Sequence, residues 1–509
     1  MKIPIQNCGS VGIIKDVLSH QLPANAWTAG TNVLMRDGAV HSIQGQRTVL
    51  GTPLDTPEYL QYYQAPSANW WLYAGNGKIH SVNSSFTHTD VSGSAYATTG
   101  KWQGTFLNGV AILNNGVDRP QQWGGAGNFA TLSNWDTNNR CKVIRSFGPY
   151  LFALGMTESG TFTPTRLIWS DQADPGAVPG SWDYTDATVL AGRVDLASEG
   201  GHLLDLLPQQ QYALIYKEKS VIRVQLIGGI SVFKFDVAFS DFGVMTTNCV
   251  VDIEGSHAVF SDRDLIVHNG SSIKTIVEGK VRRDLYKRID RDGRENCFTT
   301  VNKKASEVWF CFPTLGSTYA DEAVIYNYKT DTVSFRELAG LSSGALGDLA
   351  GTIETWDTDT EVWDDDLTAW NELSRDATKS QLLVTAPAAL GIYQVDTGYS
   401  DLGNAIRSTL ERTEMVFEGI TQGTVNTITR VYPEIFSVAE QVVKIWVGGR
   451  MDLQDPITWC GPYLFRPAVD SWVDCVVTAR WHAIRFEFEQ LGQWRLGNYI
   501  VDIVANGEV

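Results

Sequence analysis

Residues 70–82 read WWLYAGNGKIHSV, and their pattern decides the fold. An apolar run stops at Asn76-Gly77, a pair suited to a two-residue hairpin turn, and a second alternating run follows. The unit recurs as VAILNNGVDRPQQW from Val110, YLFALG with TRLIWSD from Tyr150, and YALIYKEKSVIRVQ from Tyr212. It returns as HAVFSDRDLIVHNG from His257, as EVWFCFP with EAVIYNYKTDTVSFREL from Glu307, and as QLLVTAPAALGIYQVDTG from Gln381. Roughly seven hairpin-bearing units, starting about 40 to 75 residues apart, are the signature of a β-propeller. A β-sandwich accommodates single hairpins, but seven in succession would strain it.

Beyond Ser400 the character changes. STLERTEMVFEG, TITRVYPEIFSV, QVVKIWVGG, VDCVVTARWHAIRFEFEQ and NYIVDIVANGEV are longer alternating strands. The expected architecture is therefore mainly β: a propeller of about seven blades with a C-terminal β-sandwich-like domain. The expected organisation is an N-terminal hairpin segment over 1–50, turning at Arg36-Asp37-Gly38, then the propeller over 51–399 and the sandwich over 400–509. The hairpin segment fits either the propeller or the sandwich. Helical periodicity is scarce. VEGKVRRDLYKRIDRDG repeats Val281, Leu285 and Ile289 every four residues, with Gly293 as a stop. Its other positions are largely Arg and Lys, which suits a solvated face or a contact with phosphates or an acidic neighbour.

Composition sets bounds on function. The 509 residues are 43% hydrophobic and 19% charged, as in a soluble globular protein. Seventeen Trp, 18 Tyr, 20 Phe and 47 Gly favour strands and tight turns. No apolar run is long enough for a membrane span, and the first residues lack a secretory pattern. The seven Cys are scattered without a CxxC, as expected for reduced thiols of a protein made in the cytosol. The net charge of −17 argues against general DNA binding, which needs a basic face. An acidic wall that repels phosphates nevertheless suits a conduit.

Catalytic patterns are weak. There is no HExxH or P-loop, and the eight His are isolated, His257 and His268 being the closest useful pair. A sialidase-type Asp-box, SxDxGxxW, is approached once, by QADPGAVP at 172–179, with Gln172 in place of Ser and Pro179 in place of Trp. Glycoside hydrolysis needs two positioned carboxylates, and 57 acidic residues do not single out a pair. No catalytic, cofactor or metal residue is assigned.

The most distinctive local feature is ETWDTDTEVWDDDLTAWNEL at 354–373, where Trp356, Trp363 and Trp370 fall seven apart. A coiled-coil seam fails, because the positions four after each Trp are Thr360, Leu367 and Ser374. A calcium loop starts well at Asp357, Asp359 and Glu361. It then fails at Val362, where glycine is needed, and at Thr368, where a bidentate Glu is needed. Nine acidic residues against one basic, Arg375, between Glu354 and Asp376 disfavour a lone helix. Three Trp-anchored turns fit better, in an insertion at about 341–380 between the last two propeller units. Trp356, Trp363 and Trp370 are expected to pack together, with Asp364, Asp365 and Asp366 facing solvent or a channel rim.

Several phrases resemble one family, the tail nozzle proteins of short-tailed bacteriophages, also described as tail tubular or packaged-DNA stabilisation proteins. They are LPANAWTAGTNVLMRDGAVHSIQG near the start, NNGVDRPQQW at 114–123, RLIWSDQADPGAVPGSW at 166–182 and LIYKEKSVIRVQLIGG at 214–229. GVMTTNCVVDIEGSHAVFSDRDLIVHNGSSIKTI at 243–276, the Trp-Asp repeat and RFEFEQLGQWRLGNYIVDI at 485–503 complete the set. The resemblance covers most of the chain through the order and number of phrases. It implies a structural virion protein of the tail, synthesised in the host cytoplasm and assembled as a homo-oligomer, a hexamer. It also implies a place below the portal and adaptor beside tail fibre or tip proteins. Double-stranded DNA would pass without specific binding, and no catalytic residues or cofactors carry over. Two alternatives from other classes stand beside it: a receptor- or glycan-binding propeller at a tail tip, and a propeller glycosidase.

Overall fold

Tyr59–Gln64, Asn69–Gly75, Lys78–Val82 and His88–Asp90 pair in that order as an antiparallel sheet, as seen in a computed structural model of the chain. Gly75 faces Lys78 across the turn, and Asn76 and Gly77 both take positive φ, 47° and 72°. Two successive left-handed residues match the right-handed twist of the strands they join. The structure describes residues 1–65, 68–198, 200–228, 231–349, 380–417, 419–420, 424–437 and 441–506.

Among the described residues, seven such sheets follow one another as propeller blades. Their first strands are Tyr59–Gln64, Gln103–Leu107, Asn139–Phe147, Leu203–Gln209, Val250–Ile253, Phe298–Asn302 and Ser343–Gly347. Each neighbours the next, and Ser343–Gly347 returns to Tyr59–Gln64, so the ring closes around an axis. The seventh blade is composite. Ser343–Gly347, Gln381–Ala386 and Gly391–Val395 come from the far end of the propeller, and the fourth strand, Gln46–Thr48, comes from near the N-terminus. This strand ties the two ends of the circle together by backbone hydrogen bonds.

Residues 1–42 go elsewhere. Lys2–Ile5, Val33–Arg36 and Ala39–Ser42 join Trp494–Ala505, Asn426–Ser437 and Val473–Ala479 in one sheet. Ala29–Thr31 joins Ser408–Met415, Trp481–Phe488, Val443–Arg450 and Thr458–Phe465 in a second. Their buried faces pack Trp27, Leu410, Val431, Ile445, Phe486, Tyr499 and Val501 into a sandwich core. That core is continuous with Val259, Phe310 and Val333 of blades five and six, so propeller and sandwich are joined by apolar packing.

The chain crosses between the two bodies twice, just before Gln46 and between Asn404–Ala405 and Ser408, and beside the first crossing Gly45 packs on Gly398–Ser400. Gly45 N donates to Gly398 O at 3.2 Å, and Thr397 N donates back to Gly45 O at 3.2 Å. A Cβ on Gly45 would lie 1.8 Å from Ser400 O, so only glycine permits this approach. Beside the crossing, Arg36 of the sandwich donates to Glu307 Oε1 at 2.8 Å and lies 3.9 Å from Asp396. Asp396 also pairs with Arg336 at 3.0 Å and accepts from Asn302 at 2.5 Å. Burial pushes the Glu307 carboxyl up to about 7, against the opposing pull of Arg36.

Several expected boundaries move. The propeller begins at Gln46, not 51, because Gln46–Thr48 completes blade seven. Ser400–Asp401 and Asn404–Ala405 extend that blade, so the sandwich resumes at Ser408 rather than 400. The insertion expected between the last two units lies inside blade seven, since Ser343–Gly347 and Gln381–Ala386 pair directly. The helix spans only Arg282–Arg288, with Ile289 already extended as its C-cap, well short of Gly293. Ile289 instead bridges to Thr314 of blade six, so a tertiary contact ends the helix before its sequence signal does.

Candidate functional site: the propeller axis and its rim

The innermost strands alternate, and the side chains they turn inward line an axial cavity of about 430 Å³. Arg145 and Asp205 are its charged groups, bound to each other by Arg145 Nε–Asp205 Oδ1 at 2.8 Å. Arg145 also donates to Asn248 Oδ1 at 2.9 Å and to Gln103, and Asn248 N donates to Asp205 Oδ2 at 2.8 Å. Blades two to five are thus linked to one another around the axis by one ionic cluster. Its groups are engaged with each other rather than presented to a ligand.

Near the leading ends of the innermost strands stand two adjoining hollows of about 600 and 290 Å³ that share His202, Leu204, Thr246 and Glu295. Here the Lys101 ammonium donates to the Glu295 carbonyl and, at 3.3 Å, to that of Cys297. Burial lowers its pKa. His202 Nδ1 stands 3.6 Å from Glu218. No nucleophile with an adjacent general base is formed by these groups.

His257 and His268 meet between blades four and five through Tyr216. The Tyr216 hydroxyl lies 2.6 Å from His257 Nδ1 and 2.9 Å from His268 Nε2. His257 Nε2 faces the Pro208 carbonyl at 3.2 Å, which only accepts, so that nitrogen carries the proton. Nδ1 then accepts from Tyr216, and the tyrosine oxygen accepts from His268 Nε2–H. His268 Nδ1 accepts from Gly270 N at 3.2 Å. Every polar atom of the trio is satisfied with both imidazoles neutral. Burial and the neighbouring His257 push His268 down to about 3, which fits this arrangement.

The outer rim of blade three carries a further cavity of about 740 Å³. Trp135, Met156, Ile168 and Trp182 form its apolar wall, the two indoles meeting edge to face at 4.6 Å. Asp136, Glu158 and Asp183 stand among its polar lining residues. The wall comes partly from the long connection at 170–191, which begins beside Asn108 of blade two. Asn108 Nδ2 donates to Asp174 O at 2.9 Å, and Asn134 Nδ2 donates to Pro179 O at 3.1 Å. This is the segment containing the single Asp-box-like phrase. Pro179, standing where that motif has Trp, supplies the carbonyl that fixes the loop.

Trp356, Trp363, Trp370, Asp364, Asp365 and Asp366 lie outside the described residues, as does the calcium-like stretch at 357–368. Among the described residues no group of three or more His, Cys, Asp or Glu is placed to hold a metal ion. The seven Cys are free, all but Cys460 are buried, and burial pushes the thiols of Cys8 and Cys297 up to about 12. No helix among the described residues is long and apolar enough to cross a membrane. Sequence reasoning missed Arg145 and Asp205, although Asp205 leaves a trace as a lone charge within the apolar LLDLL; Arg145 shares its strand CKVIRSF with Lys142 and does not stand out.

No family model matches the chain, and no curated protein matches it. Among solved structures it is similar to a streptogramin B lyase, with 12% identity and a TM-score of 0.40 over 70% of this chain and 97% of that one. It is also similar to a virginiamycin B lyase from Staphylococcus aureus, with 9% identity and a TM-score of 0.40 over 70% and 99%. A computationally designed protein, Ika8, matches at 9% identity and a TM-score of 0.34, over 68% of this chain and 97% of that one. Likeness at this level says nothing of activity, and the propeller assignment rests on the strand pairing itself.

Proposed function

We propose that this chain is a structural protein of a short-tailed phage tail. Its copies assemble into a ring, six by the family resemblance, that extends the DNA channel below the portal and adaptor. The ring holds packaged DNA and lets it pass on ejection. The geometric observation that supports this reading is the small size of the axial cavity. A cavity of about 430 Å³ lined by the Arg145–Asp205–Asn248 cluster is the size of a small-molecule pocket. It has no room for a duplex whose major groove alone is ~12 Å wide. The propeller then serves as a building block, and the bore lies between copies. A net charge of −17 suits a bore along which phosphates slide without being trapped. The role is non-catalytic. Mixing the purified chain with a portal–adaptor complex tests it: joining the complex as a ring is expected, and a chain that stays monomeric and never joins counts against it.

The cavity walled by Trp135 and Trp182 favours a second reading, a glycan-binding propeller at the tail tip. Both indoles are more than nine-tenths buried and offer little open face for a sugar ring. A glycan array separates the two readings, since the nozzle gives no specific signal.

A further inference from the structure

We propose that Glu307 is a proton-operated latch at the seam of propeller and sandwich: its ionised carboxylate holds Arg36, and with it the tip of the 33–42 hairpin, and its protonated form lets that tip go.

Glu307 opens the second strand of blade six, Glu307–Phe312, and its side chain is buried. Oε1 accepts twice from Arg36, from Nε at 2.9 Å and from Nη2 at 2.8 Å. Oε2 is buried and has no hydrogen-bond partner among the described residues. Asp396 beside it has both oxygens taken, Oδ1 by Arg336 at 3.0 Å and Oδ2 by Asn302 at 2.5 Å. The bare Oε2 is therefore the atom that takes a proton at least cost, and a proton there cancels the charge that holds Arg36. The two arginines differ in what else holds them. Arg336 is buried, donates also to Gln44 O at 3.3 Å and lies over the Trp309 ring at 4.5 Å. Arg36 is 27% exposed, and its other carboxylate, Asp396, stands 3.9 Å away. Once Glu307 is neutral, Arg36 turns to water while Arg336 stays. Leu34 and Ile43 remain packed with Trp309 and Ala323 of blade six, so the hairpin tip is freed and not the whole seam.

The groups around Glu307 set the pH at which this happens. Arg36 and Asp37 come from the sandwich hairpin, Arg336 from the fourth strand of blade six, and Asp396 from just past Gly391–Val395 of blade seven. Lys303 and Lys304 stand exposed in the turn before the strand. Asn302 and Asn327 face Glu307 from the strands on either side and carry no charge. His41, near Arg36, is held near 4 by burial and by Arg495 and Arg36, so it stays neutral above that pH. Burial drives the Glu307 carboxyl up, Arg36 and Arg336 pull it down, and Asp396 pushes it up, which leaves it at about 7. The latch thus works across neutrality, where an ordinary carboxylate is fully ionised.

The test measures amide exchange over residues 33–42 of the full-length chain at about pH 8 and about pH 6, corrected for the intrinsic pH dependence of exchange. The infrared band of protonated carboxyls is followed over the same range. Wild type is expected to exchange at the tip at least ~10-fold faster at the lower pH, and E307Q to exchange fast at both. The band is expected to grow in wild type as the pH falls through about 7, with a component that E307Q lacks. R36M removes the cation and is expected to shift the midpoint of that component upward. Linkage separates a latch from unfolding. The folded carboxyl sits above its ordinary 4.5, so its contribution to stability is fully present below about 4.5 and is lost as the pH rises through about 7. The melting temperature of wild type relative to E307Q is therefore expected to rise from pH 8 to pH 6 while the tip loosens. Tip exchange that ignores pH in wild type, or that keeps the same pH dependence in E307Q, would overturn the latch. Wild type and R36M decide the matter if E307Q fails to fold: a midpoint that R36M leaves in place overturns it.

Discussion

At the scale of single residues, the Tyr216–His257–His268 trio shows how a pair of histidines that looks functional in sequence is used by the fold. The tyrosine hydroxyl donates to one ring and accepts from the other, which requires both to be neutral. Tyr216→Phe leaves two buried ring nitrogens without partners and is expected to cost about 1–3 kcal/mol in chemical denaturation. The same geometry makes the protein sensitive to acid. His268 is held near 3 in the folded chain against 6.5 for a free imidazole, so the unfolded state binds more protons between those values. The stabilisation is fully present above about pH 6.5 and is lost as the pH falls toward 3. His41 and His482, both held near 4 by burial, act in the same direction. The melting temperature is expected to drop on acidification below pH 6.5, and His268→Gln to flatten that slope. At the axis, Arg145→Met strands the buried Asp205 carboxylate. Its expected cost is about 3–5 kcal/mol, read by denaturant titration against a stable Arg145–Asp205 reference.

At the scale of elements, the hairpins legible in the sequence are the second and third strands of each blade. Asn69–Gly75 with Lys78–Val82, Tyr212–Lys217 with Val221–Leu226, and Ser256–Phe260 with Leu265–His268 are the same structural pair seen three times. They are flanked by a strand on each side and covered on both faces, so their apolar content is high and their turns are tight. Several outer strands are short and largely exposed, like His88–Asp90 and Ile273–Thr275, and carry little pattern, whereas Phe233–Phe239 and Thr332–Leu341 are longer. The strand that closes the ring, Gln46–Thr48, lies more than 300 residues from its partner Gly391–Val395, and local periodicity does not report such a pairing. Gly45 is invisible for a related reason. Its need for no side chain comes from Ser400, a chain segment remote in sequence. Gly45→Ala is expected to destabilise by about 1–3 kcal/mol and to make hydrogen exchange faster first at Gly45 and Gly398–Ser400.

At the scale of the whole molecule, the N-terminal 48 residues serve both bodies, giving four strands to the sandwich and one to blade seven. Removing them is expected to yield insoluble protein, not a free propeller; a soluble, cooperatively melting 49–509 fragment would show that closure by Gln46–Thr48 is dispensable. With an axial cavity of only about 430 Å³, the propeller has no room for a duplex, so any DNA channel must be built from several copies. The most direct test of that claim is the electron cryo-microscopy density of the assembled full-length protein. The account predicts a closed ring of six copies around an open, acidic bore. A monomer, or a two-fold dimer joined through the same face of both copies, would contradict it.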